Sequence, residues 1–268
     1  MFFSFNITYY NKILYKYILM NVKNIKSFIE FYRFLNVTDC ISVNPRNFKD
    51  SIITKDHPEL LNNAKNVDYK EKSMNKSEFL KELKKEALKL DCDLKDIATN
   101  FVFSDGNENS KIMLLGEAPG AKEDLQGKPF VGEAGQLLDK MLSFIDLTRE
   151  NFYISNMVFW RPPGNRTPSE SEISLCLPIT MKHISIIQPK LLILVGSIAA
   201  KTLLNTKEGI TKLRGKNHYF FDKINNTKIA TRAIFHPAYL LRNPIEKKRT
   251  WEDLLEIDDF ISQKEFCS

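Results

Sequence analysis

Beyond Asn100 the chain alternates short, predominantly apolar runs with longer segments in which apolar residues recur every third or fourth position. The short runs have the length of buried β-strands, and the longer segments have the spacing of amphipathic helices. The predicted strands are 111–115, 152–158, 191–195 and 228–235. The predicted helices are 133–145, 169–187, 197–205 and 246–263. Strands that alternate with helices are typical of an α/β domain with a mostly parallel sheet.

The first 75 residues have a different pattern. Apolar residues at helical spacing predict a helix from Asn21 to about Asp39, and the polar stretch 47–75 is typical of a linker. A second amphipathic helix is predicted from about Ser77 to Leu90. We therefore divide the chain into an amino-terminal extension with one helix and a polar linker (1–75) and a main domain (76–265). The role of the extension stays open.

The amino-terminal twenty residues are apolar enough to suggest a membrane segment. Asn6, Asn11, Lys12 and Lys16 interrupt them well before the roughly 18–20 apolar residues that a span needs, and no small-residue cleavage site follows. We expect no membrane segment and no signal peptide. Residues 1–19 are expected to form a poorly ordered extension, with Met20 as a candidate true start.

Composition narrows the class of protein. Lys+Arg number 39 and Asp+Glu 33, giving a net charge of +6, and hydrophobic residues make up 43% of the 268 residues. These values are typical of a soluble globular protein and exclude collagen-like, disordered and disulfide-scaffold classes. The positive charge is compatible with a polyanionic partner. The four cysteines have no C-x-x-C spacing, so we expect reduced thiols and a cytoplasmic location.

Unusual polar and glycine-rich segments follow each predicted strand. In open α/β sheets, ligands bind outside the carboxyl ends of the strands, so these segments are candidates for one site. An acid, an amide, an aromatic ring and an imidazole at one rim suit cleavage next to an electron-rich ring. The segments are Gly116-Glu-Ala-Pro-Gly120 with Gly127-Lys-Pro-Phe-Val-Gly132, Asn156 with Arg161-Pro-Pro-Gly-Asn-Arg-Thr-Pro168, Gly196-Ser197, and His236-Pro-Ala-Tyr-Leu-Leu-Arg242.

Two nucleotide-binding classes compete for a strand followed by glycines. The segment from Gly116 to Gly120 lacks the G-x-G-x-x-G spacing, and Pro119 removes a backbone N–H that a phosphate would need. The P-loop pattern G-x-x-x-x-G-K-[ST] does not occur in the sequence. Dinucleotide-binding and P-loop functions are therefore disfavoured.

The same motifs, in this order and at these intervals, resemble the type-4 (family 4) enzymes of the uracil-DNA glycosylase superfamily, from about Lys89 to Ile261. The resemblance implies a three-layer α/β/α fold around a central, mostly parallel four-stranded sheet. It implies hydrolysis of the bond between uracil and deoxyribose, which leaves an abasic site. No metal would be needed at the pocket.

The resemblance also implies roles for individual residues. Glu117 would position the water and stabilise the sugar cation, and His236 would stabilise the negative charge that develops on uracil O2. Phe130 would stack on uracil, and Asn156 would bind the edge that separates uracil from cytosine. Backbone groups of two more residues would line the base pocket. They are Gly116 and Ala118.

A base inside a duplex cannot reach such a pocket, so the nucleotide must be flipped out. The segment after His236 is expected to be a loop that does this, with Tyr239, Leu240 and Leu241 entering the base stack and Arg242 on a phosphate. Further candidate phosphate contacts are Arg161, Arg166, Ser197 and Lys201. Glu123 and Asp124 are expected to support the pocket loop.

The sequence departs from the family at one place. Type-4 enzymes typically hold a [4Fe–4S] cluster on four cysteines, and a cubane cluster normally needs four thiolates. Here Cys92 and Cys176 fill two of the four positions, whereas Lys89 and Trp160 stand at the other two. Cluster binding is therefore doubtful, and we expect Trp160 to fill the vacated space with Lys89 against its ring.

Other functions stay open from sequence alone. The same fold can act on another deaminated base such as hypoxanthine or xanthine, or the chain can be a DNA-binding relative without catalysis. Retention of Glu117, Asn156 and His236 favours an enzyme. We expect a monomer that acts on uracil-containing DNA without a protein partner.

Overall fold

The computed structural model describes residues 75–263. The extension at 1–19, the helix predicted over 21–39 and all but the last residue of the predicted linker lie outside the described residues.

Helices and strands alternate along the described chain as the apolar pattern predicts. The strands are β1 Ser104–Gly106, β2 Ile112–Gly116, β3 Tyr153–Asn156, β4 Leu191–Val195, β5 His218–Asp222 and β6 Thr227–Ile234. The α-helices are α1 Lys76–Ala87, α2 Leu94–Ile97, α3 Ala121–Gln126, α4 Glu133–Ser143, α5 Glu170–Ile187, α6 Ser197–Leu203, α7 Ile210–Leu213, α8 Pro237–Arg242 and α9 Lys247–Gln263. Short 3₁₀ turns occupy Pro163–Asn165 and Pro244–Glu246.

One sheet joins the strands in the order β1-β3-β2-β4-β6-β5. Its four central strands run parallel and are the four that the apolar runs predict. The strands β1 and β5 pair antiparallel at the two edges and were not predicted. The mostly parallel sheet is thus confirmed, with six strands rather than four.

Helix starts are set by local capping chemistry. Asn75 accepts a hydrogen bond from the backbone N–H of Glu78, whose carboxylate accepts one from the backbone N–H of Asn75. Ser169 and Glu172 form the same reciprocal arrangement at the start of α5. Such capping boxes satisfy N–H groups that have no partner within the helix. They fix where α1 and α5 begin.

Both faces of the sheet are covered. Alternate residues of β2 point to opposite sides: Met113 and Leu115 pack in a core with residues of α1 and α5, and Ile112 and Leu114 pack in a second core with residues of α4 and α9. This alternation follows from the two-residue period of a strand. The three-layer α/β/α arrangement is confirmed. Within 75–263, no helix has the length and apolar character needed to cross a membrane.

Candidate active site

The carboxyl ends of β2, β3, β4 and β6 meet at one edge of the sheet, as parallel strands require. Gly116 is the register partner of Asn156 on the neighbouring strand. Gly196, after β4, donates its backbone N–H to the carbonyl of Ile234 at 3.0 Å, and His236 follows β6 two residues later. The structure therefore brings together the predicted residues that follow these four strands.

Gly116 leaves room for its neighbours to meet. A Cβ at this position would lie 2.5 Å from Asn156 Oδ1 and would overlap the Phe130 ring. Real Cβ atoms do not approach other atoms so closely, so the ring and the amide can converge only beside a glycine. The predicted pocket residues Phe130 and Asn156 thus meet at one point, which is the space beside the Cα of Gly116.

Asn156 presents a buried amide to this point. Its side chain is 1% exposed, and its Oδ1 finds no hydrogen-bond partner in the described part of the chain. A buried polar atom without a partner is costly in a folded protein, and it is expected where a ligand supplies the partner. This amide can read the hydrogen-bonding edge of a bound ring.

Phe130 forms an aromatic wall beside the imidazole. Its ring centroid lies 5.9 Å from that of His236, with 32° between the planes, and the residue is buried. Its backbone has φ of 56°, in the left-handed region that residues with side chains seldom adopt. A flat ligand between the ring and Asn156 would have both a stacking surface and an amide partner.

His236 is held as a neutral imidazole. It caps α8, and its Nδ1 accepts the backbone N–H of Ala238 at 3.2 Å, so the ring proton resides on Nε2. Burial, helped by the positive charge of Arg242 and opposed by Glu123, lowers the pKa of His236 to about 4. The ring packs on Gly196, where φ is 101° and a Cβ would lie 3.1 Å from the His236 Cβ.

Glu117 lies at the rim of the pocket, one residue after β2. Its carbonyl accepts the backbone N–H of Val158 at 3.1 Å, which ties it to the segment after β3. Burial raises the pKa of the Glu117 carboxyl, and a hydrogen bond from the side chain of Thr167 partly opposes the rise. Ala118 is half-buried beside it and packs against the α1/α5 core.

The segment between β2 and α4 is fixed by two buried acids. Glu123 Oε1 accepts the backbone N–H of Gly132 at 2.7 Å. Asp124 Oδ1 accepts the backbone N–H groups of Thr99 and Asn100, each at 2.9 Å. These contacts match the supporting role expected for Glu123 and Asp124.

The candidate phosphate contacts at the rim differ in how far their side chains are already engaged within the protein. Arg161 donates from Nε to Asn165 Oδ1 at 2.7 Å, which orders its loop. Arg166 is engaged by both carboxylate oxygens of Glu172, at 2.6 and 2.9 Å, so it already holds the loop to the start of α5. Ser197 and Lys201 are half-buried on α6.

The segment after His236 is a helix, α8, rather than the loop expected from sequence. Leu240 is 0% exposed and packs in the α4/α9 core, so its predicted entry into the base stack is corrected. Leu241, by contrast, is 43% exposed. Tyr239 is half-buried, with its ring 5.2 Å from that of Phe235, and Arg242 is exposed.

The residues at the family's cluster position do not fit an iron–sulfur cluster. Cys92 and Cys176 are both buried free thiols, and burial raises the pKa of Cys176 to about 12. Trp160 is 3% exposed, with its ring 5.0 Å from that of Phe101 and 6.3 Å from that of Phe159. Lys89 is exposed. Within 75–263, no three metal-ligating side chains come together. Trp160 instead packs its ring against neighbouring aromatic side chains at this position.

Two residues near the site were missed from sequence. Thr167 lies inside the quoted Arg161–Pro168 motif, and only the structure shows that its side chain reaches Glu117. Arg149 follows α4 in a polar turn, and its Nη2 reaches the carbonyl of Phe130 at 2.7 Å. No local motif marks such a contact, because the two residues are 19 positions apart.

Comparison with known proteins agrees with this geometry. Residues 103–255 match the family model for the uracil DNA glycosylase superfamily. The chain is 37% identical to the type-4 uracil-DNA glycosylase of Archaeoglobus fulgidus over 65% of this chain and 88% of the relative. It is 39% identical to that of Saccharolobus solfataricus (65% and 82%) and 38% identical to that of Thermotoga maritima (65% and 89%). The resemblance drawn from the motifs is confirmed, and the chain belongs to the uracil-DNA glycosylase superfamily.

Proposed function

We propose that this protein is a DNA N-glycosylase that flips uracil out of DNA and hydrolyses its bond to deoxyribose, leaving an abasic site. The observation that carries the proposal is the convergence of a buried unpartnered amide, Asn156, and a neutral imidazole, His236, beside the Phe130 ring. The relatives named above, which are type-4 uracil-DNA glycosylases, support the same activity.

Base recognition rests on Asn156 and Phe130. The amide offers an acceptor and a donor that pair with the N3–H and O4 of uracil, whereas cytosine presents the opposite pattern at N3 and C4. The buried amide would lose its partners with cytosine, which makes discrimination steep. Phe130 supplies the stacking surface, and the backbone of Gly116 and Ala118 completes the pocket.

Departure of the base rests on His236. As the glycosidic bond breaks, negative charge accumulates on the uracil ring, and a hydrogen bond from the His236 Nε2–H stabilises it at O2. The low pKa of His236 keeps the imidazole neutral, so it donates a hydrogen bond without carrying a charge of its own. A neutral imidazole is sufficient here, because the uracil anion can leave when a hydrogen bond stabilises it and does not need a full proton from His236.

Capture of the sugar cation rests on Glu117. An ionised carboxylate at the rim attracts the oxocarbenium-like sugar and holds a water for attack at C1′. The side-chain hydrogen bond from Thr167 favours the ionised form. These steps use only side chains of this protein.

Contact with DNA rests on the rim. Arg161, Arg242 and Ser197 are proposed to bind phosphates, and Leu241 with Tyr239 is proposed to occupy the space left by the flipped nucleotide. Arg166 is proposed to act mainly through its ion pair with Glu172. We further propose that the protein acts as a monomer in the cytoplasm, without a protein partner and without an iron–sulfur cluster.

The proposal is tested with labelled oligonucleotides that carry one uracil, thymine, hypoxanthine or xanthine, single-stranded and paired. We expect alkali-sensitive breaks at uracil alone, formed far more slowly by Glu117→Gln and His236→Asn. Lys182→Ala, which removes an exposed ion pair with Glu86, is the matched control and retains activity. Breaks at hypoxanthine or xanthine instead would change the substrate. DNA binding by folded protein without breaks would make it a non-catalytic relative.

A further inference from the structure

The backbone of Phe130 needs an external restraint. Its φ of 56° lies in the left-handed region, which residues with a side chain seldom adopt. Such a conformation persists only where the surrounding structure holds it. The ring must nonetheless keep its place beside Gly116 and His236 for a base to stack on it. The contacts of the Phe130 carbonyl identify the group that holds it.

That group is the guanidinium of Arg149. Its Nη2 donates to the carbonyl of Phe130 at 2.7 Å, and its Nη1 donates to the carbonyl of Pro129 at 3.1 Å. Its other hydrogen bonds are with Asp139, from Nε at 3.0 Å and Nη2 at 3.1 Å, and with Asp105, from Nη1 at 3.2 Å. A guanidinium has five N–H groups in a rigid planar fork, and here there are five acceptor contacts.

Through these hydrogen bonds, Pro129 and Phe130 are tied to three separate parts of the fold. Asp139 belongs to α4, Asp105 belongs to the edge strand β1, and Arg149 itself lies in the turn before β3. From the other side, Gly135 of α4 packs so closely on the Phe130 carbonyl that a Cβ there would overlap it. The carbonyl is therefore clamped between Arg149 and α4.

We propose that Arg149 is a positioning residue, which sets the stacking geometry of Phe130 and thereby the rate of base excision without touching DNA. This inference rests on the proposed role of Phe130 in base stacking. Lysine cannot replace arginine here, because an ammonium group has no planar fork to serve two carbonyls and two carboxylates together.

The test is a double-mutant cycle between Arg149→Lys and Phe130→Leu, with single-turnover excision rates as the readout. Arg149→Lys keeps the positive charge beside Asp105 and Asp139 and is expected to fold. We expect it to slow excision by about 10- to 100-fold, the usual effect of a misplaced group. In the Phe130→Leu background, the same change should cost less than about twofold, because its target is already gone.

Two further readouts separate positioning from general damage. Arg149→Lys should weaken inhibition by free uracil while its affinity for abasic DNA stays close to wild type. The matched control is Arg232→Lys, which changes a guanidinium 5.6 Å from the Phe260 ring near the opposite edge of the sheet. It should leave all of these quantities unchanged. Should Arg149→Lys fold poorly, Asp105→Ala removes one acceptor of the guanidinium and gives the same test.

Specific results would overturn the inference. Equal fold losses in the wild-type and Phe130→Leu backgrounds would mean that Arg149 acts independently of the ring. Loss of abasic-DNA affinity with normal uracil inhibition would make it a DNA contact. If the wild-type protein released no uracil, the proposed function would fail instead. Calorimetric binding of free uracil to wild type and Arg149→Lys would then decide: weaker binding by the variant supports the clamp, and equal binding rejects it.

Discussion

Two titratable side chains of the pocket have pKa values displaced in opposite directions by burial. The imidazole of His236 is a base, so burial lowers its pKa, and the carboxyl of Glu117 is an acid, so burial raises its pKa. Both shifts favour the neutral form of the side chain, whereas the proposed mechanism needs a neutral His236 and an ionised Glu117. At Glu117 the side-chain hydrogen bond of Thr167 opposes the rise, and at His236 the charge of Glu123 opposes the fall, but burial is the larger effect at both residues.

The pH dependence of excision follows from these shifts. We expect kcat/KM to rise with pH through the pKa of Glu117, because only the ionised carboxylate stabilises the cation. No step is expected near pH 6.5, because His236 is already neutral above about pH 4. Rates measured from pH 4 to 9 should lose the rising limb in Glu117→Gln and keep it in His236→Asn. A step near pH 6.5 that vanishes in His236→Asn would contradict this assignment.

Gly116 offers a steric test of the pocket. We expect Gly116→Ala to abolish detectable uracil release and free-uracil inhibition, because the new methyl group would displace Phe130 and Asn156 from their meeting point. Gly209→Ala is the matched control, since its Cβ would make only an ordinary contact of 3.8 Å with Thr211. Near-normal excision by a folded Gly116→Ala protein would show that the base binds elsewhere.

At the scale of elements, the segment from Trp160 to Pro168 joins the aromatic cluster to the catalytic rim. Trp160 packs against Phe101 and Phe159 at its start, and Thr167 reaches Glu117 near its end. Between them, the ion pair of Arg166 with Glu172 fastens the loop to α5. The packing of Trp160 against Phe101 and Phe159 therefore helps to fix the position of the Glu117 carboxylate.

Removal of the Trp160 ring should therefore affect stability and rate together. We expect Trp160→Ala to lower the free energy of unfolding by about 3–5 kcal/mol, the usual cost of deleting a buried aromatic ring. Urea unfolding measures the loss, and Tyr219→Ala, at an exposed aromatic, should cost far less. An unchanged melting temperature in Trp160→Ala would refute the space-filling role.

The packing of α5 on the sheet makes stability depend on pH. His183 of α5 is fully buried, stacks on Phe103 and shares a 2.8 Å hydrogen bond with the hydroxyl of Tyr153, and burial lowers its pKa to about 3. Between about pH 3 and 6.5 the unfolded chain therefore binds a proton at this residue that the folded chain does not. Its contribution to stability is complete above pH 6.5 and is lost as the pH falls.

We expect His183→Phe to flatten the pH dependence of unfolding between pH 4.5 and 6.5, by up to about 1.4 kcal/mol per pH unit. Urea midpoints at several pH values measure the slope. His218→Phe is the control, because His218 is only half-buried at the start of β5. An identical slope in wild type and His183→Phe would show that this histidine titrates alike in both states.

For the whole molecule, the sequence predicted what depends on long apolar runs and missed what depends on tertiary contact. The central strands and major helices were predicted because burial leaves a periodic pattern. The edge strand β1 has the polar sequence Ser-Asp-Gly, and α8 begins with a proline, so neither carries that pattern. The meeting of residues after the four central strands was predicted from the strand ends and the motif resemblance. The contact of Arg149 with Phe130 joins distant parts of the chain and the burial of Leu240 depends on packing, so neither could be predicted.

The molecule as a whole should be free of iron. Protein purified without oxygen is expected to show no broad absorbance near 400 nm and less than about 0.1 iron atom per chain, and treatment with a chelator should leave excision unchanged. Cys92→Ser and Cys176→Ser test the same point, since neither should abolish activity through lost metal. Four iron atoms per chain with that absorbance would contradict the space-filling role of Trp160.

The register that sets Gly116 opposite Asn156 also limits the harm that a misassembled copy of the protein can do. Side chains alternate across a strand, so a slip of one residue would replace the amide by Ser155 or Met157 and close the recognition point. Such a copy would not excise cytosine or thymine in place of uracil, because it would be inactive. For a protein that breaks bonds in DNA, such a folding error causes loss of activity and does not cause removal of the wrong base.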